Sequence, residues 1–365
     1  MGFRSGIVGL PNVGKSTLFN ALTRSAAAQV ANFPFCTINP NVGEVPVPDP
    51  RLEEIFLIAG SAQAVQAKMT FVDIAGLVRG ASRGEGLGNR FLASIREMDA
   101  IIMVLRCFED GRVTHVEGHV DPLGDAEIVE MELLLADIQS IERRRQAMDK
   151  KIKGGDPDAR ALESLMERAT EAMEAGRPAR EVEVMAHEVN QWRSLHLLTS
   201  KPVLYVCNVS EDDIVESGGH FDAVSGMADA RNAGCIAISA SIEEEISRLD
   251  PEDADTFIHD LGLEEPGLNR LVRAGYRLLD LETFFTTGPK MTRAWTFTRG
   301  QPAVEAVNVI HSDFSRGFIR VDVISYGDYV EFGGEQGARE EGKVRTEGRN
   351  YRVVDGDVLH VLFSV

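Results

Sequence analysis

The 365-residue chain has few cysteines, no long apolar run and a shortage of positive charge, and each lack excludes something. Its four cysteines, Cys36, Cys107, Cys207 and Cys235, lie far apart, with no CxxC pair and no zinc-like spacing. That usage argues against a disulfide framework and for reduced residues in or near the core of a cytosolic protein. The longer apolar runs, such as Ala100–Leu105, fall far short of the ~20 residues that a membrane span needs. The first residues pass straight into a glycine-rich motif, so no leader peptide and no membrane partner are expected, and the expected compartment is the cytoplasm. Lys and Arg number 38 against 57 Asp and Glu, a formal charge of -19. Such acidity excludes a protein that coats nucleic acid nonspecifically.

The excess acid is unevenly placed. Lys plus Arg against Asp plus Glu is 11 against 13 in residues 1–126 and 11 against 15 in 127–200. It is 6 against 17 in residues 201–280 and 10 against 12 in 281–365. Within residues 127–200 stands a basic block, Arg143, Arg144, Arg145, Lys150, Lys151 and Lys153. Apolar residues make up 44% and charged residues 26%, which suits a folded chain. The length suits two or three domains of ~100–200 residues each.

Strand patterns recur along the first 240 residues: 3–9, Val42–Val47, Lys68–Asp73, Ala100–Phe108, Pro202–Val209 and Cys235–Ser239. Near-continuous apolar runs separated by helical patterns, such as Leu87–Arg96, predict an open, mostly parallel α/β sheet with ligand loops at its carboxyl ends. The gap between the strands near 100 and 203 is too long for an ordinary crossover. Residues 126–153, 158–176 and 180–199 read as helices, broken at Gly154–Pro157 and Gly176–Pro178. The expectation is a helical hairpin or coiled-coil arm inserted at 127–200; helices lying on the sheet face are the alternative. After Thr298 come AVEAVNV, GFIRVDVIS, DYVEF, KVRTEG, YRVV and DVLHVLF, read as short strands of a small β-rich module that starts near Leu281.

GLPNVGKST, Gly9–Thr17, fits GxxxxGK[ST] between a strand and a helix. Glycines let backbone N–H groups wrap phosphates, and the helix N-terminus adds its dipole. Asn12, Val13, Gly14, Lys15, Ser16 and Thr17 are the candidate phosphate-binding set. Lys15 would reach the β- and γ-phosphates and Ser16 would ligate Mg2+. In FVDIAG, Asp73 would hold Mg2+ through water and the Gly76 N–H would meet the γ-phosphate. Thr37, in NFPFCTINP, would sense both the γ-phosphate and the metal. Lys15, Thr37 and Gly76 are thus the catalytic candidates, and Ser16, Thr37 and Asp73 the metal candidates.

These stretches, with DIAGLVRGASRGEGLGNRFLASIRE and KPVLYVCNVSE, resemble the YchF subfamily of Obg-like P-loop ATPases, within the translation-factor-like GTPase class. The resemblance covers essentially the whole chain. It implies a P-loop domain over residues 1–280, interrupted by a helical arm at 127–200, and a β-grasp-like TGS domain at 281–364. It also implies a preference for ATP, and ribosome association, with the large subunit or the 70S particle, by a chain expected to be a monomer.

Guanine-specific members of that class read the base with Asn-Lys-x-Asp after the fifth strand. Here the place holds Asn208-Val209-Ser210-Glu211. A Glu carboxylate is one methylene too long for the Asp geometry, and the Lys stem that packs on the base is gone. A site with the wrong reach leaves polar groups unpaired, at a cost of a few kcal/mol. Val209 would offer adenine backbone groups and an apolar surface; Asn208 is either a base-site residue or a turn cap. Ser239 and Ala240 occupy the last base loop, with Glu211 completing the candidates. Leu77 stands where a water-orienting Gln is usual, so no general base is nominated. Asn12 would hold a potassium ion or a local loop hydrogen bond. His115 and His119 do not make a metal site.

The basic block Arg143–Lys153 is either a solvated helix face or an rRNA contact. The leading reading is a Mg2+-dependent ATPase switch on the ribosome, regulating translation or stress responses. A nucleotide-gated scaffold with incidental turnover and a GTPase assembly factor are the alternatives.

Overall fold

The structure, a computed structural model, describes residues 3–30, 42–74, 87–110, 118–214 and 218–364. Cys36, Thr37, Gly76, Leu77 and His115 lie outside the described residues. The chain divides into two compact units, one of residues 4–43 and 71–268, the other of residues 1–3, 44–70 and 269–365.

The chain opens with β1 (Arg4–Val8), α1 (Lys15–Val30), β2 (Val42–Pro46), α2 (Pro50–Ala59), the two-residue β3 (Ala64–Val65) and β4 (Lys68–Asp73). Then follow α3 (Leu87–Arg96), β5 (Ala100–Arg106), α4 (Pro122–Lys153), α5 (Pro157–Glu174), α6 (Val189–Arg193), β6 (Val203–Asn208) and α7 (Gly219–Ala230). Next come β7 (Gly234–Ile238), α8 (Ala240–Ile246), α9 (Pro251–Asp260) and α10 (Gly267–Leu278). A six-stranded sheet runs in the order β2-β4-β1-β5-β6-β7. Its centre is parallel: Ser5 pairs with Ala100, Ile101 with Val203 and Leu204 with Gly234 at the start of each ladder. Every residue of β5 and β6 is buried, as a strand covered on both faces must be. The loops that follow β1, β6 and β7, and the last residue of β4, share the carboxyl edge, where such sheets hold ligands.

The segment between β5 and β6 is helical. Asp121 caps α4, accepting from the Gly124 N–H at 3.1 Å, and Pro122 stands in the first turn where a missing N–H costs nothing. The helix stops at Gly154–Gly155; Asp156 then caps α5, which turns back along α4. Leu134 and Ile141 meet Leu162, Leu165, Met166, Ala169 and Met173 in a common apolar cluster. Residues 180–199, expected to be helical, hold only α6 and a 3-10 turn at Ala179–Glu181. Val182 and Val184 alternate with Glu181 and Glu183, a period of two that gives a helix no apolar face. The returning chain is fastened to α4 by Asp137, fully buried, whose carboxylate accepts from the Leu198 N–H, the Thr199 N–H and the Thr199 hydroxyl, each at 2.8 Å. Burial pushes this carboxyl above its ordinary range while the three bonds pull it back.

The other unit is built on a second sheet. To it the C-terminal chain gives β8 (Leu281–Thr286), β9 (Thr292–Thr298), β10 (Phe318–Ile324), β11 (Arg345–Glu347) and β12 (Val358–Phe363). The order is β11-β10-β12-β8-β9-β3, with β12 parallel to β8 and β3 parallel to β9. Phe284, Phe297, Val321, Val323 and Leu359 fill its core, the two phenylalanine rings 5.9 Å apart and tilted. Some expected strands are helices. AVEAVNV forms α11 (Ala303–Ala306) and a 3-10 turn, burying Ala303, Ala306 and Val307 at helical spacing. The later helices are α12 (Ser312–Arg316), α13 (Tyr326–Glu331) and α14 (Glu335–Glu340). DYVEF falls in α13 and its C-cap Phe332, a helix which Ser325 starts by accepting from the Asp328 N–H at 3.1 Å. YRVV contributes only an isolated bridge between Arg352 and Pro302. Among the described residues no helix is long and apolar enough to cross a membrane.

Asp137→Ala strands two buried amide donors and a hydroxyl, for an expected loss of about 2–4 kcal/mol. Urea and thermal melts check this. Arg145→Ala, which removes an exposed pair with Glu167, should scarcely move either midpoint; equal melts for the two variants would contradict the fastening role of Asp137.

Candidate nucleotide site

The loop after β1 is shaped by backbone that only small residues tolerate. Gly9 has φ +152° and faces the Val104 carbonyl so closely that a Cβ would collide with it. Gly14, at φ +96°, stands equally close to the Asn208 side-chain amide. Asn12 takes φ +64°, a left-handed turn that Asn accepts better than most residues. Val13 is fully buried, so the loop is anchored by its own side chain.

Lys15 opens α1 and is 7% exposed; its Nζ donates to the Leu10 carbonyl at 2.5 Å. Burial pulls the ammonium down to about 8, against the upward pull of the Asp73 carboxylate. The next residue, Ser16, is exposed, and its hydroxyl donates to Asp73 Oδ2 at 3.4 Å. Asp73 ends β4, and its other oxygen, Oδ1, is buried with no hydrogen-bond partner among the described residues. Burial raises the Asp73 carboxyl, while Lys15 and the Ser16 hydroxyl lower it. An unpartnered carboxylate oxygen beside a hydroxyl is a hard oxygen donor set, which fits Mg2+. Ser16 and Asp73 would hold the ion, which when bound to nucleotide neutralises charge on the phosphate oxygens.

The opposite wall is made by the ends of β6 and β7. Asn208, 6% exposed, donates from Nδ2 to the Val13 carbonyl at 3.0 Å and accepts at Oδ1 from the Ala240 N–H at 3.0 Å. One side-chain amide therefore joins the phosphate loop to the start of α8. Val209 is buried, and its N–H is taken by the Ile238 carbonyl at 2.9 Å. Ser210 donates to Asp213 at 2.6 Å and accepts from the Asp213 N–H at 3.2 Å, a local turn. Glu211 is exposed and makes no bond among the described residues. Ser239 is buried, its hydroxyl 3.0 Å from that of Ser241, and Ala240 is buried at the first turn of α8.

The structure thus brings Asn12 to Thr17, Asp73, Asn208, Ser239 and Ala240 to one edge of the sheet, and leaves Glu211 in solvent at its border. Two features escape sequence reading. Glu243 of α8 is buried and accepts the Gly267 and Leu268 N–H groups at 2.7 and 3.2 Å, capping α10 and steadying the base loop. Within the run Glu243–Glu245 it looks like any solvated face, so no signal marks it. Cys107, Cys207 and Cys235, remote in sequence, are free thiols on or beside three adjacent strands, with Cys207 and Cys235 Sγ atoms 3.8 Å apart. Only strand register could have told this. Hydrogen bonding and burial push both of those thiols up, so they are poor nucleophiles.

Asn208→Ala frees the Val13 carbonyl and the Ala240 N–H together, and a tenfold or greater rise in nucleotide Kd is expected from a loss of about 1.5–3 kcal/mol. Titration with a fluorescent nucleotide measures it; wild-type affinity would contradict the brace. The Lys15 pKa gives a second test. The phosphates need the ammonium charged, so affinity should be flat at neutral pH and fall as pH rises through about 8. Binding at that pH should take up roughly half a proton, read by calorimetry in buffers of different ionisation enthalpy. Lys15→Met should bind weakly with no such uptake.

The chain is similar to known proteins over its whole length. Residues 4–147 match the family model MMR_HSR1, described as a 50S ribosome-binding GTPase. Residues 281–364 match YchF-GTPase_C, described as a protein of unknown function (DUF933). The chain is 51% identical over the full length of both chains to a Haemophilus influenzae protein named Ribosome-binding ATPase YchF. It is 48% identical, again over both full lengths, to the Bacillus subtilis protein of the same name. The solved Schizosaccharomyces pombe YchF GTPase is 34% identical with a TM-score of 0.88, over 99% of this chain and 98% of that one. The chain belongs to the YchF family and is a P-loop NTPase.

Proposed function

We propose that the protein is a Mg2+-dependent ATPase switch that prefers ATP to GTP and acts on the ribosome. The base preference is carried by one observation. Asn208 commits both ends of its amide to the protein's own loops, and the carboxylate that follows in the base motif, Glu211, stands in solvent. At the motif's fourth position a Glu stands where the guanine-reading class has an Asp, and Val209 has no charged stem to lay along a base. Adenine requires neither. Lys15, Thr37 and Gly76 then act on the γ-phosphate, with Ser16, Thr37 and Asp73 around the metal. Asn12 is the residue through which potassium would stimulate turnover.

The names of the relatives support the ribosome as partner. In this chain the surface that suits such a partner is part of α4. Three of the six cations of the basic block have partners: Arg144 donates to Ser194, Arg145 to Glu167 and Lys153 to Asp149. Arg143, Lys150 and Lys151 are exposed and make no ion pair among the described residues. Their spacing of seven and eight puts them on one face of α4. A stripe of unpaired cations on a helix meets phosphate backbone by charge and shape. We read residues 127–200 as the arm that carries it, within a nucleotide domain of residues 1–280. Residues 281–364 form a TGS-like domain, for which the parallel β12–β8 pair flanked by β10 and β9 is the support. The switch would regulate translation or stress responses in the cytoplasm, as a monomer.

Two measurements test the reading. In base competition, ATP should displace bound GTP more readily than the reverse, and turnover should need Mg2+; the opposite order of displacement would sink the base assignment. Sedimentation with ribosomes should weaken on reversal of Arg143, Lys150 and Lys151, with the slope of log affinity against log salt reduced by about two. Unchanged binding would remove the stripe from the contact.

A further inference from the structure

Asn208 ends a strand whose other face is held from outside the nucleotide site. Tyr205, three residues earlier on β6, is fully buried, and its hydroxyl donates to Glu130 Oε1 at 2.6 Å. The same carboxylate receives Arg180 at 3.0 Å and, on Oε2, Arg231 at 2.5 Å; Arg231 also lies 3.3 Å from the Tyr205 hydroxyl. These four residues come from four places: α4, the 3-10 turn beyond α5, β6 and the end of α7. Glu130 thereby joins α4 and the turn beyond α5 to the strand that carries Asn208.

The chemistry makes this joint demanding. One carboxylate, 11% exposed, serves two guanidinium groups and a phenol. Burial and the Glu130 carboxylate push the Tyr205 phenol up to about 12, so it stays a donor. Removal of the carboxylate would leave two cations facing each other and the phenol. Beyond Tyr205, β6 is hydrogen-bonded along both edges, to β5 from Val203 to Asn208 and to β7 from Leu204 to Asn208. A strand laddered on both sides shifts as a unit with its neighbours, so a displacement at Tyr205 reaches Asn208.

We propose that Glu130 is a positioning residue of the nucleotide site: through Tyr205 it sets β6, and through β6 the Asn208 amide that braces the phosphate loop and α8. The proposal rests on the P-loop site described above. Its consequence is reciprocal. A macromolecule that docks on α4 and shifts its root changes nucleotide affinity, and bound nucleotide changes affinity at α4 by the same factor.

The test is a double-mutant cycle in the full chain, read as Kd for Mg-ATP and for ADP well below the melting temperature. Glu130→Gln keeps the shape and removes the charge; Tyr205→Phe removes a single hydroxyl and covers the case in which the first variant fails to fold. Each should weaken nucleotide binding about threefold or more, and neither should weaken it further on an Asn208→Ala background. Arg145→Ala, on the same helical segment but outside the joint, should bind as wild type. A merely structural role would lower stability without this dependence on Asn208. Full additivity with Asn208→Ala, or unchanged Kd in both single variants, overturns the proposal. Wild-type protein that bound no nucleotide would sink the site reading itself, a separate result.

Discussion

The side-chain amide of Asn208 is the contact on which the site depends. It holds the Val13 carbonyl on one side and the Ala240 N–H on the other, so three loops from β1, β6 and β7 keep a fixed spacing. An Asn can do this because it is both donor and acceptor; an Asp or a Leu of similar size could serve at most one side. The close approach of Gly14 to that amide and the burial of Val13 follow from the same contact. Phosphate geometry and base geometry are therefore not independent in this protein.

Much of this was legible because the chemistry is local. Glycines at 9 and 14, a Lys and a Ser at the helix start and an Asp ending a strand each carry their reason in a few residues. The near-continuous apolar runs of β5 and β6 point to a covered parallel sheet for the same reason. What escaped reading depends on register and long-range packing. Nothing in the sequence says that the two-residue β3 adds itself to β9, more than 220 residues away, nor that Glu130 faces Tyr205. AVEAVNV and DYVEF were misread as strands because short alternating runs also place i, i+3 and i+4 on one face. For α13 the Ser325 cap, not the pattern, decides. The base motif shows both sides. Its sequence marked the loss of the guanine-reading Asp, but only the structure shows Glu211 in solvent and Asn208 taken up by its own protein.

Charge tells a similar story of placement over composition. The net charge of -19 describes the chain and not any one face of it. Acidic residues dominate 201–280, whereas α4 presents near its end, on one face, three cations that make no ion pair among the described residues. Nearer its start, the same helix buries Glu130 and Asp137, one bonded to β6 and the other to the chain that leads into it. A helix that offers cations at one end and is welded to the nucleotide strand at the other can report what it touches.

Hydrogen exchange at three amides tests that coupling most directly. The Leu198 and Thr199 amides donate to Asp137 midway along α4, on the chain that leads into β6, and the Ala240 amide donates to Asn208. If that chain and the site are one mechanical unit, added Mg-nucleotide should slow exchange at all three together, on the time scale of local opening. Protection that rose at Ala240 while Leu198 and Thr199 stayed unchanged would contradict the account.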